Sequence, residues 1–422
     1  MQKKPMAIPL LLTPFALTFS GVIFAEPLDE FVDGSSAILT TRNYYFNRDF
    51  SDIVGSNPQS KAEEWAQGFI LDFKSGYTPG QVGLGLDAQG LLGMKLDSGP
   101  GRVGVGLLPI DTQGKPSDEY SRLGLAAKIR YSQTVLRAGD LQPSIPILYF
   151  SDVRLLPPSY QGFSITSKEV AGLTLEAARL RSTHLRNEGG DEKMQAMLGN
   201  VPQRKASSDG YNYVGGEYNF NSKMTTVSAW YGQLEDIYQQ GFVSLKHSQP
   251  AGPWTLGLNL GYYFAHEDGD QLLGRIDNRA LAPIFTIKRA GHTVSFGYQA
   301  IYGDSAFPRV FANISPLVNE TPTYEFANTD ERSWQVRHEY DFAALGMPGL
   351  TSSLRWTSGY NVDTGRGFEG REHERDLDFA YVVQSGPLGG LGVRVRNAVA
   401  RSNYRSDVDE NRLFFTYSWK LL

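Results

Sequence analysis

GVRVRNAVAR (392–401) is the stretch whose reading decides the fold. A β-strand puts residues i and i+2 on one face, so Arg394 and Arg396 stand together while Val393, Val395 and Val399 take the other. An arginine turned to lipid at mid-membrane costs roughly 2–4 kcal/mol, whereas charge facing a barrel lumen is tolerated. If the strand crosses a membrane, its arginines therefore point inward and its valines outward. In a soluble sandwich the valines would face a core and the arginines water.

The same alternation recurs along the chain. In EEWAQGFILDFK (63–74), Trp65, Phe69, Leu71 and Phe73 oppose Glu64, Ala66, Gly68, Asp72 and Lys74. In SRLGLAAKIRY (121–131), Leu123, Leu125, Ala127, Ile129 and Tyr131 oppose Arg122, Gly124, Lys128 and Arg130. RDLDFAYVVQ (375–384) and NRLFFTYSWKL (411–421) repeat the pattern. Any antiparallel sheet with one wet face alternates in this way. Here one face is unusually ionic and the other large and aromatic, which favours a barrel over a sandwich. The ending FFTYSWKLL (414–422) has the alternating aromatics of a closing strand.

Connections alternate in length. NFNSK (219–223), KRAGH (288–292) and SGPLGG (385–390) carry hairpin turn chemistry, whereas 94–121, 141–169, 183–209 and 303–330 are long. Short turns on one side and long loops on the other is the asymmetry of an outer-membrane barrel. About 17 strands can be counted, and the even parity of such barrels makes 18 the nearest solution. The fold expected is all-β: a transmembrane antiparallel β-barrel of about 18 strands, with short periplasmic turns and long extracellular loops.

Residues 1–25 have Lys3 and Lys4, an apolar stretch from Met6 to Phe24, and a small residue at Ala25, the pattern of a cleaved secretory signal. Residues 26–422 then form a single barrel domain, which carries −7 in place of the full chain's −5. After the signal no run of about 18 apolar residues is found, so no helical span is implied. The composition, with 45 Gly, 22 Tyr, 23 Phe and 6 Trp in a chain only 41% hydrophobic, suits a barrel. A weakly acidic balance without a basic stripe argues against nucleic acid as a partner.

Several literal motifs carry no chemistry. GPGRVG (99–104) matches a dinucleotide fingerprint, but VGLLPID follows it and is not a helix. DVDEN (407–411) lacks the glycine and terminal Glu of a calcium loop. His184, His247, His266, His292, His338 and His373 are scattered and give no H-E-x-x-H spacing. No nucleophile elbow is present. No catalytic, metal or cofactor site is expected.

The basic positions are the better signal. Arg42, Arg122, Lys128, Arg130, Arg137, Arg394, Arg396 and Arg412 fall on polar faces and are lumen candidates. Same-face neighbours lie about 6.8 Å apart along a strand. Arginine binds carboxylate bidentately and keeps its charge. A column of arginines can hand a carboxylate from site to site if each contact releases it. The alternative is that they pair with lumen acids such as Glu64 or Asp376 and only fill space.

RNYYFNRDF (42–50), EEWAQGFILDFKSGYTPG (63–80), GLLGMKLDSGPGRVGVGLLP (90–109), RLLPPSYQGFSITSKEVAGLTLEAAR (154–179), FANTDERSWQVRHEYDF (326–342) and YVVQSGPLGGLGVRVRNAVARSNYRSDVDENRL (381–413) together resemble the OprD family of outer-membrane porins. The resemblance implies a monomeric 18-stranded barrel in the outer membrane, a weak trimer being the alternative assembly. Lipid and lipopolysaccharide would surround it. It further implies passive, substrate-specific uptake of small carboxylates or amino acids, a constriction of inward-folded loops, and a basic ladder on one wall. By this resemblance Arg42, Arg394, Arg396 and Arg412 are ladder positions. Tyr160, in the long loop 141–169, is a constriction residue, and Asp304 of GDSAFP an acidic partner opposite the ladder. Many relatives carry a basic residue in the turn before the ladder where this chain has Gly389. Two other functions fit the residues alone: a barrel-embedded hydrolase, which would act on lipid esters, and a soluble exported binding protein, which would fractionate without detergent.

Overall fold

The computed structural model describes residues 29–52, 59–199, 204–311 and 317–422. The expected signal segment, 1–25, lies outside the described residues. A short helix, Asp29–Asp33, precedes the first strand. Eighteen antiparallel strands follow, fixing the number at the even count. They are β1 (Ser36–Ser51), β2 (Lys61–Lys74), β3 (Val82–Asp97), β4 (Glu119–Tyr131), β5 (Thr134–Leu141) and β6 (Ser159–Ser167). Next come β7 (Leu173–His184), β8 (Tyr211–Phe220), β9 (Thr225–Leu234), β10 (Tyr238–Ala251), β11 (Trp254–Glu267) and β12 (Asp277–Arg289). The last are β13 (His292–Tyr302), β14 (Arg332–Asp341), β15 (Leu350–Asp363), β16 (Glu369–Val382), β17 (Gly392–Ser402) and β18 (Asp407–Lys420). Each strand pairs with its sequence neighbour, and β18 returns to β1, from Ile38↔Lys420 to Ser51↔Asp407. Closure leaves no sheet edge, which an apolar membrane interior requires.

Outward faces are apolar along the whole circumference. Leu123, Val395, Phe296, Leu354 and Trp356 are all exposed, as side chains meeting lipid must be. Aromatics gather at both ends of the strands, the girdles of a membrane barrel. Tyr131, Phe220, Trp254, Tyr381 and Trp419 ring the periplasmic end, and Trp65, Tyr302 and Tyr360 the extracellular end. Connections at the periplasmic end are tight, as at 132–133, 252–253 and 290–291, where Gly252 and Gly291 take positive φ. Those at the other end are long, and three of them fold inward.

Inward-facing charges hold these loops. Glu64 of β2 accepts hydrogen bonds from the backbone N–H groups of Gly104, Leu107 and Leu108, 2.8–3.1 Å away. It thereby pins loop 98–118, the segment containing GPGRVG. Glu374 of β16 accepts from Thr323 N at 3.0 Å, Tyr324 N at 2.8 Å and the Thr321 hydroxyl, fixing loop 303–331. Within the loops, Glu192–Leu198 forms a short ladder with Arg204–Ser208 on one side and Pro308–Val310 on the other. Ile145, Ile147 and Leu148 of loop 142–158 pack with the wall residues Leu141, Tyr160, Tyr211 and Tyr238 in a buried apolar cluster. The barrel core is thus built where loops meet wall, and the remaining lumen is narrow.

Candidate functional site

One wall of the lumen runs through β14–β18 and β1. Alternation turns Arg337, Arg355, Asp376, Asp378, Arg394, Arg396, Arg412, Arg42 and Arg48 inward, since their neighbours Val336, Leu354, Phe379, Val395 and Phe415 are exposed to lipid. Register sets their heights. Arg412 lies opposite both Arg396 and Phe46, Arg394 opposite Phe414, and Arg42 lower, opposite Thr416. From outside to inside the order is Arg48, then Arg412 with Arg396, then Arg394, then Arg42.

Phe46, fully buried, is the centre of the upper cluster. The guanidiniums of Arg412, Arg48 and Arg154 lie 4.3, 5.0 and 5.0 Å from its ring centroid. Aromatic faces attract cations, and Arg stacks on them readily. Glu410 bridges Arg48 and Arg412, at 2.8 and 2.5 Å. Among the described residues no carboxylate lies within ion-pair reach of Arg154 or Arg186, which come from loops 142–158 and 185–210. Burial, then the positive charge of Arg48 and Arg412, pushes the Arg186 guanidinium down to about 10. Arg154 is likewise held well below its ordinary value, first by burial and then by Arg186 and Arg412.

Lower on the wall, Asp378 takes both rungs of GVRVRNAVAR. Arg394 Nε reaches its oxygens at 2.8 and 2.9 Å, and Arg396 Nε at 2.7 Å. Arg355 pairs with Asp376 at 2.7 Å. Opposite, loop 303–331 brings Arg309, which pairs with Glu325 and lies 3.7 Å from Glu320. Together these groups surround a cavity of about 490 Å³ lined by nine arginines and five acidic residues. A smaller chamber of about 260 Å³ continues below, where Arg42, Arg394, Arg396 and Arg412 meet Asp152 and Arg154. The four expected ladder residues are brought into one column.

The other four basic candidates stand apart from it. Lys128 pairs with Asp87 at 2.5 Å and donates to Ser75 O at 2.7 Å. Lys128 and Arg137 line a second cavity of about 550 Å³ behind loop 142–158, shared with Asp72, Asp87, Asp140 and Glu176. Arg130 stacks on Tyr77 at 4.3 Å, and Arg122 donates to Pro157 O at 3.3 Å. Around Lys128 and Arg137 the acids of that cavity outnumber the bases.

Two expected constriction residues fall elsewhere. Tyr160 is a strand residue of β6, opposite Leu141, and buried in the apolar cluster beneath the loop. The lining of that loop comes from Ser151, Val153 and Arg154. Asp304 is exposed and lies 3.4 Å from Arg275 at the rim. The acids facing the ladder come from farther along the same loop, at Glu320 and Glu325. Glu64, offered as a partner for a lumen arginine, binds backbone N–H groups instead. Arg48, Arg337 and Arg355 join the wall beyond the expected set, and alternation contained them: Arg48 is six residues after Arg42, on the same face. Arg154, Arg186 and Arg309 had no such signal, because loops have no period.

The chain matches the model of the outer membrane porin, OprD family, over residues 29–421. It is 44% identical over 415 residues to the porin-like protein GalP of Pseudomonas putida, covering 98% of both chains. Among solved structures it superposes on Pseudomonas aeruginosa OccK9 (OpdG) with a TM-score of 0.89 and 46% identity, over 93% of this chain and 100% of that one. It also superposes on P. aeruginosa OpdK, crystallised with vanillate, with a TM-score of 0.86 and 43% identity, over 92% and 100% of the two chains. Closed topology, inward loops and collinear similarity agree, and the chain belongs to the OprD family of outer-membrane porins.

Proposed function

We propose that this porin takes up small carboxylate-bearing solutes, organic or aromatic acids or amino acids, by diffusion along the arginine column. The observation that carries the reading is the charge of the constriction: nine arginines against five acids around about 490 Å³, with no carboxylate among the described residues in ion-pair reach of Arg154 or Arg186. A carboxylate entering from outside meets Arg48, Arg154 and Arg186, passes Arg412 and Arg396, and leaves by Arg394 and Arg42. Shared acids such as Asp378 and Glu410 keep each rung from binding too tightly, which conduction requires. Arg309, Glu320 and Glu325 face the column, so a zwitterion would align across the gap. A relative of similar structure that carries vanillate, a carboxylate, supports the solute class.

The conducting unit proposed is one barrel in the outer membrane, ringed by lipid and, outside, by lipopolysaccharide, after export directed by residues 1–25. Liposome swelling over a size-matched panel tests the solute class. Carboxylates and amino acids should enter faster than neutral sugars or amines of equal size. Equal rates across the panel would refute the reading.

A further inference from the structure

Arg42 stands at the periplasmic foot of the column with its donors already engaged. Its Nη1 lies 2.7 Å from Asp152 Oδ1 and its Nη2 3.1 Å from Asp152 Oδ2, the two-point grip of guanidinium on carboxylate. The same Nη1 donates to the carbonyls of Arg154 and Leu155 at 2.6 and 3.2 Å. Backbone bonds therefore hold the guanidinium in place whether or not a carboxylate is present. Asp152, in contrast, is 39% exposed and lines the lower chamber beside Arg394 and Arg396. A carboxylate leaving Arg394 arrives where a carboxylate of the protein is already bound.

We propose that Asp152 is a resident carboxylate that occupies Arg42 between passages, so that the last rung is crossed by exchange of one carboxylate for another. The proposal rests on the carboxylate reading above and adds a mechanism of release. A bare Arg42, held rigidly and facing the lumen, would retain the solute at the exit. A tethered competitor lowers the net affinity there without removing the charge that attracts the solute. The displaced Asp152 remains in a chamber lined by Arg394, Arg396 and Arg412, so its expulsion leaves it among other guanidiniums. A purely structural Asp152 would serve only to hold loop 142–158 against β1.

Benzoate flux into proteoliposomes, measured against concentration, separates the two. In Asp152→Asn the half-saturating concentration should fall about fivefold, the scale of one partly exposed ion pair, and the maximal flux should fall with it as release slows. In an Arg42→Ala background the same substitution should lower the half-saturating concentration by no more than about 1.5- to threefold, the through-space effect of one screened charge, and should not slow release. Asp152→Glu, which keeps a carboxylate, should stay near wild type, and the heat-modifiability of each barrel reports that it has assembled. An Asp152→Asn effect of equal size in both backgrounds, or an unchanged half-saturation, would overturn the exchange while leaving the carboxylate reading intact. No saturable benzoate flux in the wild-type protein would overturn that reading, and the exchange with it.

Discussion

Removing Arg394 and Arg396 together perturbs the column where its chemistry is simplest. Both guanidiniums contact one carboxylate, Asp378, at 2.7–2.9 Å, so the trio carries a net +1. The double variant Arg394→Ala/Arg396→Ala leaves Asp378 alone and makes the site −1. At about 7 Å in a water-like dielectric each unit charge acts on a passing carboxylate with about 0.6 kcal/mol. Screening at physiological ionic strength, with a Debye length of about 8 Å, reduces that to about 0.25 kcal/mol. Two charges then amount to about 0.5–1.2 kcal/mol, a two- to sevenfold loss of carboxylate permeability relative to potassium. Adding Asp378→Asn returns one charge and should recover about half of that free energy. Reversal potentials of reconstituted channels under a potassium benzoate gradient measure the ratio for all three proteins. At about 1 M salt, where the Debye length is about 3 Å, the differences should nearly vanish. A double variant with wild-type selectivity, or a triple variant no better than the double, would show that these charges do not set the selectivity.

Three further substitutions test other parts of the account. Val395→Arg puts charge on the lipid side of the same strand and should cost roughly 2–4 kcal/mol, read as a lower denaturant midpoint for refolding into bilayers. Glu64→Gln turns a carboxamide N–H toward one of the backbone donors and should weaken the hold on loop 98–118 by roughly 1–3 kcal/mol, visible as faster amide exchange at Gly104, Leu107 and Leu108. Arg186→Gln removes a buried charge whose proton affinity burial and its arginine neighbours have lowered. Because the folded state disfavours this charge and the unfolded state does not, the barrel should become more stable, by on the order of 1 kcal/mol in thermal unfolding, while carboxylate selectivity falls.

What the sequence discloses follows from where chemistry has a period. Strands alternate with period two, and the cost of lipid-facing charge assigns each face, so alternation alone turns Arg394, Arg396, Arg412 and Arg42 inward. The same rule places Arg48, Arg337 and Arg355 on the lumen side. Loops carry neither a period nor a lipid constraint. Arg154 reaches the constriction because Arg42 donates to its carbonyl and its own Nε donates to Val105 O, in the loop that Glu64 pins. Arg186 and Arg309 come from two loops joined by a short ladder, one of them fixed by Glu374, and these contacts join residues far apart in the chain. Tyr160 sits within a long stretch that reads as loop, which suggests a place in the lumen, yet it lies in the strand that supports that loop. Asp304 is the first acid of its segment, whereas the loop's path brings Glu320 and Glu325 to the column and leaves Asp304 at the rim. The long loops are visible as long; which of their residues turn inward depends on hydrogen bonds that sequence spacing does not encode.

Selection of carboxylates by the lumen's excess of arginine is what we propose. Its most direct test is the reversal potential of single wild-type channels across a tenfold gradient of potassium benzoate. Benzoate more permeant than potassium, with a ratio that falls as background salt rises, is the predicted result. A cation-selective or unselective channel would contradict it.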